Sequence, residues 1–312
     1  MVSPAGETTK TPNMIKRTLY FGNPAYLHKN LQQLKVIKPD DNTETGSVPI
    51  EDIGAILLDN PQITITHALL AALVERNVAI ISCDDKHLPV GLMLPLDGNT
   101  LQTERFKFQI EASEPLKKNL WSQTVKAKVE NQAEVLRRAK IDNKRLLALI
   151  PQIQSGDPDN IEGRAAAIYW KLLFDDLPFV RDRFGTMPNA HLNYGYAIVR
   201  AIVARALVSS GLLPTLGIHH SNKYNAYCLA DDIMEPYRPF VDWIVYQMIS
   251  NGEIDNDELS RDQKAKLLSI ASVDVIIDSR KSPLMVAMPR TTNSLVEAFD
   301  GSRRKIIYPQ FI

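Results

Sequence analysis

Residues 88–103 read L-P-V-G-L-M-L-P-L-D-G-N-T-L-Q-T, and the character of the chain changes across them. Upstream, Ile15 to Phe21, Leu31 to Ile37, Ala55 to Leu58, Val78 to Ile81 and Leu88 to Leu94 are short apolar runs set off by Gly, Pro, Asn and Asp, as strands are. One helix interrupts them, because Leu69, Leu70, Leu73 and Val74 recur at helical spacing after Thr64 and Thr66, either of which can cap it. Downstream, Ala, Leu, Lys, Glu, Gln and Arg dominate, the apolar period is helical, and almost no strand signal returns. Pro95, Asp97, Gly98 and Asn99 are turn formers and mark the boundary. The fold class is therefore α+β. Residues 1–13 read as a disordered lead, with Met14 as an alternative start, and residues 14–94 as a small β-rich domain, a sheet or sandwich with one helix. Residues 95–102 read as a linker and 103–312 as a larger all-α domain.

Bulk properties exclude several classes. The 312 residues carry 36 Lys and Arg against 36 Asp and Glu, so the molecule as a whole has no reason to adhere to nucleic acid or to an anionic membrane. Cys83 and Cys228 stand far apart, which argues against a disulfide framework and a paired-thiolate zinc site. They read as small buried side chains, and Met93 and Met234 as core filler. No apolar run approaches the ~20 residues that span a bilayer, so a cytoplasmic protein is expected.

Charge is uneven locally. Between Leu116 and Arg145 lie Lys117, Lys118, Lys126, Lys128, Arg137, Arg138, Lys140, Lys144 and Arg145, opposed by Glu130, Glu134 and Asp142. This is either a footprint for a phosphate backbone or a solvated helix face. Next, Asp157 can cap a helix that has Pro158 at its first position, with Ile161, Ala165, Ile168 and Leu172 as its core stripe and Glu162 on the margin beside Ala166 and Tyr169. Asn189 can cap a long helix with the stripe Leu192, Tyr196, Val199, Val203 and Leu207, ending at Gly211. His191 and Asn193 on it are weak candidates for the border of a site.

Residues 217–242, G-I-H-H-S-N-K-Y-N-A-Y-C-L-A-D-D-I-M-E-P-Y-R-P-F-V-D, concentrate the polar chemistry. In a helix, Asp231, Glu235, Arg238 and Asp242 share one face, with Asp232 adjoining it. The bland reading is a solvated stripe, yet Pro236 and Pro239 require a kink or a restart. Carboxylates with a neutral imidazole suit a hard or borderline divalent ion, Mg2+ or Mn2+, better than zinc.

This stretch resembles the signature of the CRISPR-associated integrase family, Cas one, in which Gly-x-x-His precedes a Leu-x-x-Asp-x-Met-Glu-x-Phe-Arg-Pro-type helix. Further blocks with the flavour of type II systems are S-V-P-I-E-D-I-G-A-I-L-L-D-N-P-Q-I-T-I-T, C-D-D-K-H-L-P-V-G-L-M-L-P-L, I-E-G-R-A-A-A-I-Y-W and N-A-H-L-N-Y-G-Y. The resemblance implies a β domain that dimerises and an α domain that is catalytic. It also implies a homodimer, a small Cas two partner and, in type II systems, an effector nuclease. Its metal site maps onto Glu162, His220 and Glu235 as both ligands and catalytic residues; Glu235 stands where many relatives carry Asp. His219 becomes a neighbour and Asp232 a supporting acid. The implied activity is insertion of DNA fragments into the CRISPR repeat by attack of a 3′-hydroxyl. A nuclease that cuts branched DNA and a DNA-binding scaffold are the alternatives. Lys117, Lys118, Lys126, Arg137, Arg138, Arg181, Arg183 and Arg238 are candidate phosphate contacts, with Arg200 as a further one.

Overall fold

The computed structural model describes residues 16–85, 87, 89–182 and 185–312. The lead over 1–13, Ile15 of the first expected strand and Leu88 of the fifth lie outside the described residues. The β-rich part runs β1 (Arg17–Phe21), β2 (Ala25–Asn30), β3 (Gln33–Ile37), β4 (Glu44–Pro49), β5 (Ile53–Leu58), β6 (Ile63–Ile65), α1 (His67–Glu75), β7 (Ala79–Cys83) and β8 (Pro89–Met93). It forms two four-stranded sheets, in the orders β1-β5-β7-β8 and β4-β3-β2-β6. β2, β4 and β6 escaped the reading of apolar runs because each exposes polar residues or is very short. Thr66 takes the capping position of α1, but its hydroxyl accepts nothing from the helix.

The first sheet is the shared wall of two cores. Its strands β1, β5 and β7 are parallel, and β5 is buried along nearly all its length. Because side chains alternate, Ile56 and Ile80 face α1 with Leu69 and Leu73, whereas Ala55, Leu57, Ala79 and Ile81 face the helical part; Ile53 joins the α1 side because the β1–β5 register slips by one residue between it and Ala55. Truncating such a doubly enclosed Leu or Ile to Ala costs about 2–5 kcal/mol.

The helical part follows as α2 (Gln102–Glu111), α3 (Glu114–Arg138), α4 (Lys144–Leu147), α5 (Ile161–Leu173), α6 (Asn189–Ser209), α7 (Cys228–Met234), α8 (Arg238–Ser250) and α9 (Arg261–Leu268). A hairpin, β9 (Asp274–Ile277) and β10 (Arg280–Pro283), leads into α10 (Leu284–Phe299). This hairpin corrects the all-α expectation. Its turn residues Asp278 and Ser279 both have positive φ, the primed turn that suits paired strands, and the Val-Ile-Ile run of β9 is too short to register against helical surroundings.

α3 is an internal helix rather than a solvated one. Ser113 caps it, and Trp121, Val125, Val129 and Leu136 bury one side against α5, α7 and α8. α6 begins at Asn189, not after it: the Asn189 side chain ties down the preceding loop through Val180 O and Thr186 O. Gly211, at φ +66, stops α6 as expected. The buried stripe of α5 is Ile161, Ala165, Tyr169 and Leu173: its first two residues are the expected ones, and Tyr169 and Leu173 replace Ile168 and Leu172, which are only half-buried.

A polar pin joins the sheet to the helices. Asp59, just past β5, accepts hydrogen bonds from Tyr20 Oη (2.7 Å), His87 Nδ1 (2.9 Å) and Lys264 Nζ of α9 (2.9 Å). Burial would raise its pKa, but these donors together hold it below the ordinary value. Cys83 is half-buried beside it, its thiol pushed up to about 12 by burial and by Asp59. Met93 is exposed rather than core filler, because β8 is an edge strand; Met234 is buried.

Candidate active site

Pro236 and Pro239 break one acidic helix into three pieces. α7 ends at Met234, a 3-10 turn spans Glu235–Tyr237, and α8 starts at Arg238. Asn131 of α3 steadies this turn by donating to Pro236 O at 2.8 Å, and the same amide donates to Pro309 O at 3.0 Å. Its expected polar stripe faces inward. Asp231, Glu235 and Asp242 are all buried, which overturns the solvated reading. Asp231 takes a bidentate contact from Arg200, at 2.6 and 3.0 Å, and a hydrogen bond from Asn225. Asp242 accepts from Tyr169 Oη at 3.0 Å and from Tyr196 Oη, and its burial, partly offset by these donors, raises its pKa to about 7.

Asp232 organises the histidine loop. Its carboxylate accepts the backbone N–H groups of Ile218 (2.7 Å), His219 (2.9 Å) and His220 (3.2 Å), and lies 2.5 Å from His220 Nδ1. Gly217 is required here: a Cβ would meet His220 O at 2.3 Å. Since a carboxylate only accepts, Nδ1 carries the proton, and a neutral His220 ring presents Nε2 as its bare nitrogen. The Asp232 hydrogen bond raises the His220 pKa against the effect of burial, with Glu235 and Glu162 adding to it. His219 stacks flat on Trp121 at 4.1 Å, while His220 meets the same indole edge-on at 5.7 Å.

Glu162 arrives from the first turn of α5. Asn160 is the N-cap, three residues later than the expected Asp157, whose carboxylate instead accepts the N–H groups of Ile161 and Glu162 at 2.9 Å each. Lys128 Nζ lies 2.5 Å from Glu162 Oε1 and 2.5 Å from Glu235 Oε2. Lys128 thus bridges the two carboxylates, and Arg238 Nε stands 3.1 Å from the other oxygen of Glu235, Oε1. Burial opposes ionisation of both Glu235 and Lys128. Arg238 and Lys128 nevertheless lower the pKa of Glu235, and Glu235 and Glu162 raise that of Lys128.

Glu162, His220 and Glu235 thus share one neighbourhood, although among the described residues no three His, Cys, Asp or Glu side chains enclose a single point. The residues fit a divalent ion in other respects. Two carboxylates already flank one cation, and the imidazole is oriented by a carboxylate as metal-bound histidines are. Lys128 and Trp121 were missed as site residues. The signal was spacing: Trp121, Val125, Lys128 and Gln132 form one helical stripe, and all four are buried.

Most candidate phosphate contacts are engaged within the chain. Lys117 pairs with Glu114, Arg137 and Arg138 with Glu134, Arg200 with Asp231, Arg238 with Glu235, and Arg181 with Asn189 and Asn193. Lys118 is exposed and Lys126 half-buried, and Arg183 lies outside the described residues. His191 is buried against Gln263, so it does not border the site. An open cleft of about 410 Å³ adjoins His220, lined in part by Lys117, Ser221, Asn222, Lys223 and Cys228. Among the described residues no helix is long and apolar enough to cross a membrane.

Comparison with known proteins identifies the family of the chain. Residues 19–279 match the family model of CRISPR associated protein Cas1. The chain is 36% identical over 302 residues to the CRISPR-associated endonuclease Cas1 of Neisseria meningitidis serogroup C (strain 8013), covering 96% of this chain and 97% of that protein. Its fold is similar to that of a casposase bound to integration product, with a TM-score of 0.78 at 20% identity, covering 93% of this chain and 92% of that one. It is also similar to a chain of a Cas6-RT-Cas1–Cas2 complex, with a TM-score of 0.73 at 20% identity, covering 96% of this chain and 37% of that one. The arrangement of Glu162, His220 and Glu235 therefore sits in a chain that belongs to the Cas1 family of CRISPR-associated endonucleases.

Proposed function

We propose that this chain is a metal-dependent DNA integrase of CRISPR spacer acquisition, joining a DNA 3′-hydroxyl to a phosphodiester of the repeat. The observation that carries the reading is the pair Glu162 and Glu235 flanking one cation position beside an oriented His220. Mg2+ or Mn2+ held by Glu162, His220 and Glu235 would supply Lewis-acid stabilisation of the charge that develops on the phosphate oxygens. Asp232 keeps the His220 ring in one tautomer and orientation. Trp121 walls the histidine loop. In the transfer, one P–O bond forms to the attacking 3′-oxygen as another breaks, and the proton of the hydroxyl passes to solvent or to the leaving oxygen, so no protein–DNA bond is required. DNA fragments, the repeat, a Cas2-type subunit and a second copy of this chain are the proposed partners, with a type II effector nuclease as a further one.

The relatives' name, endonuclease, favours a second use of the same residues, in which water replaces the hydroxyl and branched DNA is cut. Incubation with labelled fragments bearing either a free or a blocked 3′ end separates the two. Joined product from the free end only is expected; equal product from both would refute the integrase reading.

A further inference from the structure

Lys128 is a buried ammonium that the proposed chemistry leaves unused. It is 8% exposed, and its Nζ stands 2.5 Å from an oxygen of Glu162 and 2.5 Å from an oxygen of Glu235. Arg238 approaches only Glu235, at its other oxygen. Two carboxylates held this close in a water-poor site repel each other unless a cation lies between them. Hard divalent ions sit ~2.0–2.6 Å from their carboxylate oxygens, so the ammonium occupies nearly the space such an ion would need. Its contact with Glu235 Oε2 is as short as its contact with Glu162 Oε1, so one cation serves both carboxylates.

We infer that Lys128 is the resident cation of this position: it holds Glu162 and Glu235 together whenever no ion is bound, and competes with the divalent ion for them. The inference rests on the assignment of Glu162 and Glu235 as ligands. Lys128 is a positioning residue, since it acts through the carboxylates. Ion affinity is set below what the two carboxylates would give alone, and in return the pair does not repel when no ion is present.

The test is Mn2+ binding to the full DNA-free chain, followed by loss of the free-ion resonance signal. Lys128→Gln is compared with wild type and with Lys171→Gln on the exposed side of α5. We expect Lys128→Gln to bind Mn2+ roughly ten-fold more tightly or better, within the ~5–150-fold span of ordinary coupling between sites. Its ion-free melting temperature should fall, and Mn2+ should raise it by more than in wild type. Equal or weaker Mn2+ binding by Lys128→Gln, with wild type binding normally, would overturn the inference and leave the ligands standing. Absence of saturable binding in both proteins would overturn the ligand assignment and the inference with it. If Lys128→Gln does not fold alone, Lys128→Met serves; failure of saturating Mn2+ to restore folding of either variant also overturns the inference.

Discussion

Two buried lysines in this molecule meet carboxylates, and they do so differently. At the pin, Lys264 faces one carboxylate, Asp59, whose remaining acceptor capacity is filled by Tyr20 and His87. At the site, Lys128 faces two carboxylates at once, and Arg238 reaches only one of them, Glu235. One ammonium serves one carboxylate at the pin and is shared between two at the site. Burial of a charge does not by itself mark function; what separates the two places is a cation position shared by two carboxylates, beside an imidazole whose second nitrogen is available.

The contrast is sharpest if the two places are broken separately. Alanine at Glu162, His220 or Glu235 is expected to lower strand joining by roughly a thousand-fold or more while DNA binding, measured by gel shift, changes little. A variant that still joins at the wild-type rate removes its residue from the site. Lys264→Met should behave in the opposite way, with a loss of about 3–5 kcal/mol in denaturant unfolding, because Asp59 is left buried without its ammonium, and an unchanged joining rate per folded molecule. If its joining rate falls in step with the site variants, the pin is part of the chemistry and the comparison fails.

Asp242 supplies a third case, a buried carboxylate with tyrosine donors. Its pKa is raised from 3.8 to about 7, so over that interval the folded chain binds a proton that the unfolded chain has released. Stability contributed by this group is therefore lost as pH rises through the interval. Wild type should lose stability relative to Asp242→Asn between the two values, as read by thermal melts across pH; a constant difference would show that the tyrosines keep the carboxylate ionised throughout.

Much of this was legible before any coordinates. The break at residues 95–102 separates the last strand of the first sheet, β8, from α2, and the prolines of residues 217–242 do divide a helix. Glu162, His220 and Glu235 were carried by motif resemblance, and they do share a neighbourhood. The direction of the acidic stripe was not legible. A charged residue at helical spacing reads as solvated until its partners are known, and here Arg200, Tyr196, Tyr169 and Lys128 come from distant parts of the chain. For the same reason the basic run on α3 was read as a surface, although Lys128 lies on the stripe of Trp121 and Val125. The start of α5 was misplaced because Asp157 does bind its first N–H groups, but from one turn upstream of the cap.

Asn131 has a bearing on how the protein is made. Its single amide holds both Pro236 O in the turn that carries Glu235 and Pro309 O in the segment after α10, where Phe311 stacks on Phe240 at 4.0 Å. A chain still on the ribosome, with α10 emerging and the residues after it not yet synthesised, already contains every proposed ligand but lacks this backing for the turn. The turn that carries Glu235 therefore gains this backing only once residues past α10 have been made, after both four-stranded sheets and α1 to α10 have had the opportunity to form.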